Sequence, residues 1–190
     1  MKKIINKHIL EHRVTLDSIN DLDESIEKVA KVLIYCLENE GTIFWCGNGG
    51  SASDSQHLAG ELVGRFIGDR KPLKSIALTA DSAVMTCIVN DYGYEHIFSR
   101  QVLGLGTDKD VLVGISTSGN SQNVLNAFIE ANKIGMTTIG LLGKGGGEAL
   151  KIVSNNIIIP SNSTARIQEM HILVGHILCD LIEEGLNLKK

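Results

Sequence analysis

Aromatic side chains are scarce, with one tryptophan, three tyrosines and four phenylalanines in 190 residues. No Lys/Arg-rich run accompanies them, so the chain lacks both the stacking platform and the cationic stripe of a nucleic-acid-binding surface. Long apolar runs are missing too. None approaches the ~20 residues of a membrane-spanning helix, which excludes a membrane-embedded protein. The four cysteines, Cys36, Cys46, Cys87 and Cys179, form no CxxC pair and sit inside apolar stretches. They read as core residues of a reducing compartment, not as zinc ligands or disulfides. The basic start Met1-Lys2-Lys3 leads into Asn6, Lys7, His8 and Glu11, which interrupt the apolar segment that a secretory signal needs. The expected address is the cytosol. Neither nucleic acid nor membrane is an expected partner.

Against those absences, hydrophobic residues make up 43% of the chain, enough for a core, and 18 basic against 22 acidic side chains leave a net charge of −4. The length suits one domain over residues 1–190. Leu22, Ile26, Val29, Leu33 and Leu37 recur at spacings of three and four, the signature of one helix face, and an earlier helix is expected from about Ile4 to Ile19. Residues 1–40 therefore form a helical N-terminal extension. From Gly41 onward, short β-rich runs alternate with helical stretches. The expected strands are Thr42 to Cys46, Ser75 to Thr79, Asp110 to Ile115, Thr137 to Leu142 and Asn156 to Ile159. Parallel neighbours need crossovers that helices supply, so residues 41–190 are predicted to form an α/β fold, a five-stranded parallel sheet flanked by helices in three layers. The last helix, Thr164 to about Leu186, is apolar around most of its circumference. Such a helix must be covered on several sides, which predicts an oligomer with this helix and the N-terminal helices between subunits.

Glycine is the outlier, at 20 residues against a usual share of about 7%. Strand one ends in Cys46-Gly47-Asn48-Gly49-Gly50-Ser51 and enters a helix, so backbone amides and a helix N-terminus converge where an anion can sit. The string also fits G-x-G-x-x-A, but the next strand carries no suitably placed acid beyond Asp81, which argues against a dinucleotide. Strand three ends in Ser116-Thr117-Ser118-Gly119-Asn120-Ser121 before another helix. This loop is either an ordinary turn or a phosphate cradle. Two such loops at the carboxyl ends of strands in one open sheet favour the phosphate. Gly143-Lys144-Gly145-Gly146-Gly147 lacks hydroxyls and reads as a flexible connection.

After Ser51, His57, Glu61 and Arg65 fall at i, i+4 and i+8 of one expected helix. This is either a solvated charge stripe or, through an imidazole and a carboxylate one turn apart, half of a metal site. Gln168, Glu169, His171 and His176 add polar groups to the otherwise apolar last helix. Gln168 and His176 stand roughly 12 Å apart along its axis, so ligands drawn from two subunits stay open.

Together with Gln56-His57-Leu58-Ala59-Gly60-Glu61-Leu62 and Asn90-Asp91-Tyr92-Gly93, these motifs resemble the sugar isomerase (SIS) family, with its flavodoxin-like sandwich, over nearly the whole chain. The resemblance is strongest to its members that act on a heptose phosphate. It implies a cytosolic homotetramer converting sedoheptulose 7-phosphate to heptose 7-phosphate through an enediol, an opening step toward bacterial lipopolysaccharide or capsule heptose. It further implies one zinc per subunit, held by His57, Glu61, Gln168 and His176. Substrate contacts carry over to Asn48, Gly49, Gly50, Asn90, Asp91, Ser116, Thr117, Ser118 and Ser121, with Ser51, Glu61, Arg65 and Gln168 as further candidates. The expected base is Glu61 and its partner acid is His176, although a ligand role and a base role compete for the lone pairs of Glu61. Two readings stand beside this one. The first is a non-catalytic SIS binding module that contacts a replication initiator protein. The second is an SIS isomerase of a pentose or hexose phosphate.

Overall fold

In the computed structural model, which describes residues 1–188, the chain is helical up to Glu38, before the first strand begins at Ile43. Helices α1 (Lys2–Asp17) and α2 (Asp23–Glu38) are joined by a 3₁₀ turn, Ser18–Leu22. On α2 the buried residues are Ile26, Val29, Ala30, Leu33 and Cys36, the predicted face shifted only at its ends. Then come β1 (Ile43–Gly47), α3 (Gly50–Val63), β2 (Ser75–Ala77), α4 (Ser82–Tyr92) and α5 (Ser99–Leu105). They are followed by β3 (Val111–Ser116), α6 (Gln122–Lys133), β4 (Thr137–Gly143), β5 (Asn155–Ile159) and α7 (Thr164–Gly185). All five predicted strands are present within one or two residues of their expected ends.

The strands pair in parallel in the order β2-β1-β3-β4-β5. Because side chains alternate across a strand, each central strand feeds two cores. Ile43, Trp45, Val111, Val113, Ile139 and Leu141 pack toward α2, α3 and α7. Phe44, Cys46, Leu112 and Leu142 pack toward Val102, Val124 and Phe128 of the opposite helices. The indole of Trp45 is fully buried and donates to Ser75 Oγ at 2.9 Å, tying β1 to β2 inside the first of these cores. The order reverses between β1 and β3, and in open sheets of this kind ligands bind at the carboxyl ends beside that reversal. Both candidate loops leave from those two strand ends.

Three readings change. Cys36, Cys46 and Cys179 are buried, but Cys87 is exposed, because α4 keeps only Ile88 buried and turns the rest of its apolar surface outward. Helix α7 finds much of its cover within the chain. Ile167, Met170, Val174, Leu178, Cys179 and Ile182 are buried, and it packs on α2, α3 and α1. Helix α1 leaves an apolar face open, where Ile4, Ile5, Ile9, Leu10 and Val14 are exposed. The third glycine cluster is no loose connection. It enters a 3₁₀ turn, Lys144–Lys151, and is bonded to the serine loop: Ala149 N–H donates to Gly119 O at 2.9 Å and Glu148 N–H to Asn120 Oδ1 at 2.9 Å. Among the described residues, no helix is long and apolar enough to cross a membrane.

Candidate active site

Helices α3 and α7 run side by side in the same direction: Gln168 lies over Gly50 near their starts, and Gly175 meets Leu58 further along. A side chain at position 175 would collide with Leu58, so glycine lets the two helices close together there. This contact brings His57 and Glu61 of α3 to His176 of α7. His57 Nε2 is 2.9 Å from Glu61 Oε1, and His176 Nε2 is 3.2 Å from His57 Nε2. One ligand atom from each of the three lies within 4.8 Å of the others. The His176 ring stacks on Phe66 at 5.5 Å between centroids, which fixes its plane. Asp54, one turn before His57, has its carboxyl raised above the usual value by burial, with His57 and His176 partly offsetting that rise.

Gln168 is not with this triad. Its amide stands against Gly50, at the mouth of α3, two helical turns from His176. Arg65 also departs from the expected stripe. Helix α3 ends at Val63, and Gly64 turns the chain out of helical geometry, so Arg65 is exposed in the following turn. The next backbone amides explain the break. Phe66, Ile67 and Gly68 N–H donate to the fully buried carboxylate of Glu183 at 3.0, 3.1 and 3.0 Å. Arg70 Nε completes that carboxylate at 2.7 Å, while its two terminal nitrogens donate to the carbonyls of Leu62 and Glu61. Burial alone would raise the Glu183 carboxyl, but the Gly68 and Phe66 amides, Arg70 and the Ile67 amide outweigh it and hold it at about 2.

At the β1 loop, Gly49 has φ +55° and Gly50 opens α3, while Ser51 is buried behind them. The β3 loop is cross-braced. Ser116 Oγ accepts from Gly119 N–H at 3.1 Å and lies 3.3 Å from Ser121 Oγ, and Ser118 Oγ accepts from Asn120 N–H at 3.1 Å. Thr117 and Ser118 are half-buried at its rim. Ser121 sits at the N-cap of α6 without making a cap bond, so its hydroxyl is available at a helix end that favours anions. The two loops share one wall: Asn48, Tyr94, Ser121 and Asn123 line a cavity of about 500 Å³. Asn90 and Asp91, at the exposed end of α4, bond to each other at 2.7 Å.

Sequence motifs did not reveal Tyr94 or Asn123. Tyr94 Oη donates to Asn48 Oδ1 at 2.7 Å, and the amides of Asn48 and Asn123 exchange hydrogen bonds at 2.9 and 2.8 Å. Together they lock the side chain of Asn48. No spacing rule joins three segments so far apart in the chain. Glu169 and His171 serve structure. Glu169 accepts from Arg166 and lies 2.8 Å from His12 Nδ1, tying α7 to α1. His171 faces Leu142 O at 3.0 Å, and burial pushes its imidazole down to about 4.

A doubly wound sheet with glycine- and serine-rich loops at its switch point, and a His/Glu/His cluster beside them, defines a sugar-isomerase domain. The family model described as SIS domain matches residues 9–143, and the chain belongs to that family. Within it, the chain's relatives are phosphoheptose isomerases. The enzyme of that name from Campylobacter jejuni is 50% identical over 97% of this chain and 100% of its own length. The one from Helicobacter pylori strain P12 is 51% identical over 95% and 94%. The solved phosphoheptose isomerase GmhA from Neisseria gonorrhoeae superposes with a TM-score of 0.92 at 41% identity, covering 96% of this chain and 98% of that one. The Francisella tularensis enzyme gives 0.93 at 38% identity, covering 96% and 97%.

Proposed function

We propose that this chain interconverts sedoheptulose 7-phosphate and D-glycero-D-manno-heptose 7-phosphate, the first step of bacterial ADP- or GDP-heptose biosynthesis. The observation that carries the reading is the convergence of His57, Glu61 and His176 from two helices, in a chain whose relatives bear the phosphoheptose isomerase name over nearly their full length. The binding-module reading has no comparable support, since a protein that only contacts a partner needs no aligned acid, base and donor set.

Moving a carbonyl between C2 and C1 takes a proton from one carbon and delivers one to its neighbour. Glu61 is the base. Its Oε1 faces His57, and its other oxygen takes the proton as the enediol forms. His176, held flat against Phe66, hands protons to and from the substrate oxygens through Nδ1, the ring nitrogen that does not face His57, a class of step that contributes roughly 10²- to 10⁴-fold in rate. The phosphate sits on Ser116, Thr117, Ser118 and Ser121 at the start of α6. Asn48, Gly49, Gly50 and Ser51 of the neighbouring loop contact the sugar, with Gln168 of α7 beside Gly50, as do Asn90, Asp91 and Arg65 at the rim.

Two imidazole nitrogens and a carboxylate oxygen this close together suit a borderline metal such as zinc. We assign His57, Glu61 and His176 to one Zn²⁺ per subunit; they would hold the ion, which would supply positive charge to the carbonyl oxygen when bound. Gln168 is the fourth ligand of the set. Since it lies two turns away on α7, a homotetramer would supply it from a neighbouring copy. The exposed apolar face of α1 fits that assembly, and we place the enzyme in the cytoplasm as one SIS domain.

The test is conversion of sedoheptulose 7-phosphate followed by NMR, with and without chelator, alongside pentose and hexose phosphates. Turnover of the heptulose that falls on chelation and returns with zinc supports the reading. No turnover in zinc-supplied buffer overturns it, and preference for a shorter sugar would favour the other SIS isomerase reading.

A further inference from the structure

A cleft opens at the pole of the sheet opposite the triad, between α2 and the amino ends of β3, β4 and β5. Its volume is about 810 Å³, within the range of small-molecule sites. Val32 and Val111 contribute its apolar floor. Lys28 and Lys31, one turn apart on α2, and Lys109, from the segment before β3, line it with Asp108 as the one acidic lining residue, while Lys31 Nζ also pairs with Glu27 Oε1 at 2.6 Å beside the cleft. In a chain of net charge −4 this is a local reversal of sign.

Two further groups give the cleft a chemical character. Tyr35 projects from α2 with 68% of its surface exposed, and among the described residues its ring has no aromatic or cationic partner. Asn155 opens β5 and is only 8% exposed, yet it lines the cleft. Among the described residues, its side-chain amide has no hydrogen-bond partner. That amide is not sealed from solvent, and its donor and acceptor side by side match the polar edge of a nucleobase.

We propose that this cleft binds a nucleoside phosphate. The base lies on the Tyr35 ring with its edge on the Asn155 amide, and the phosphates meet Lys28, Lys31 and Lys109. Phosphate alone accounts for the lysines but uses neither the aromatic ring nor the Asn155 amide. The site shares no residue with the triad or its two loops, so its occupancy does not compete with substrate. The proposal stands independently of the isomerase reading, because binding is read without turnover.

The experiment is calorimetric titration of the full-length chain with ADP at fixed ionic strength, with adenosine and inorganic phosphate as separate arms. Saturable ADP binding is expected, weakened at least tenfold in K28A/K31A/K109A and in Asn155→Leu, and unaffected by saturating sedoheptulose 7-phosphate. The three lysines are solvent-exposed, so the triple variant should keep its melting temperature and remain interpretable if Asn155→Leu fails to fold. Adenosine is expected to bind at least tenfold more weakly than ADP. The proposal is overturned by any of four results: no ADP binding, unchanged affinity in the folded lysine variant, equal affinity for inorganic phosphate and ADP, or displacement by the sugar phosphate.

Discussion

Glu61 and Gly119 show how differently single residues matter here. Glu61→Gln keeps the size and much of the hydrogen bonding of the side chain but removes the proposed base and one of the proposed metal donors. The expected outcome is a kcat lower by roughly 10³-fold with KM within a few-fold and an unchanged melting temperature, checked by steady-state kinetics and calorimetry. Gly119 is structural. It has φ +65°, and an added Cβ would sit 1.9 Å from the carbonyl oxygen of Gly146, which is backbone and has no freedom to move aside. Gly119→Ala is expected to cost about 2 kcal/mol or more, read as a lowered urea midpoint, and to loosen the serine loop. Of these residues, His57 and Glu61 were legible in the sequence, since helical spacing alone pairs them. Tyr94, Asn123 and Asp54 were not. They act through contacts between segments that no local pattern connects.

At the scale of elements, the Glu183–Arg70 clamp is the joint that sets α3 against α7. It gathers three backbone amides just past α3, and through Arg70 it holds the carbonyl of Glu61 itself. Removing one partner of a buried pair leaves an uncompensated charge, so Glu183→Gln should lower stability by roughly 3 kcal/mol at pH 7. The carboxyl lies at about 2 in the folded chain against an ordinary 4.5. Its contribution is therefore complete above the unfolded value and drains away as pH falls from about 4.5 toward 2. Urea midpoints of wild type and variant should be well separated at pH 7, draw closer by pH 3 and converge only near pH 2. The sequence placed the strands well because each is a compact apolar run ending in Gly, Ser or Thr. It overran α3, because the stop at Gly64 depends on a carboxylate more than a hundred residues away.

For the whole molecule, alternating strands and helices made a parallel sheet readable, but not the order of its strands, since crossovers leave the choice of neighbour to long-range packing. The convergence of positions 57, 61 and 176 was likewise expected only through family resemblance. The proposed homotetramer rests on the open apolar face of α1. Ile5→Glu with Leu10→Glu puts two charges on that face, and the expected outcome is dissociation to smaller species by light scattering. Activity should fall with it if Gln168 is delivered across a subunit boundary.

The chain's only tryptophan, sealed in β1 and tethered to β2, is also a natural optical probe. Its emission reports whether water has reached the interior layer shared by α2, α3 and α7, and the ring has no exposed surface of its own. A red shift during denaturation therefore marks loss of the scaffold itself, while ligand-induced rearrangements at either pole should leave the spectrum nearly silent.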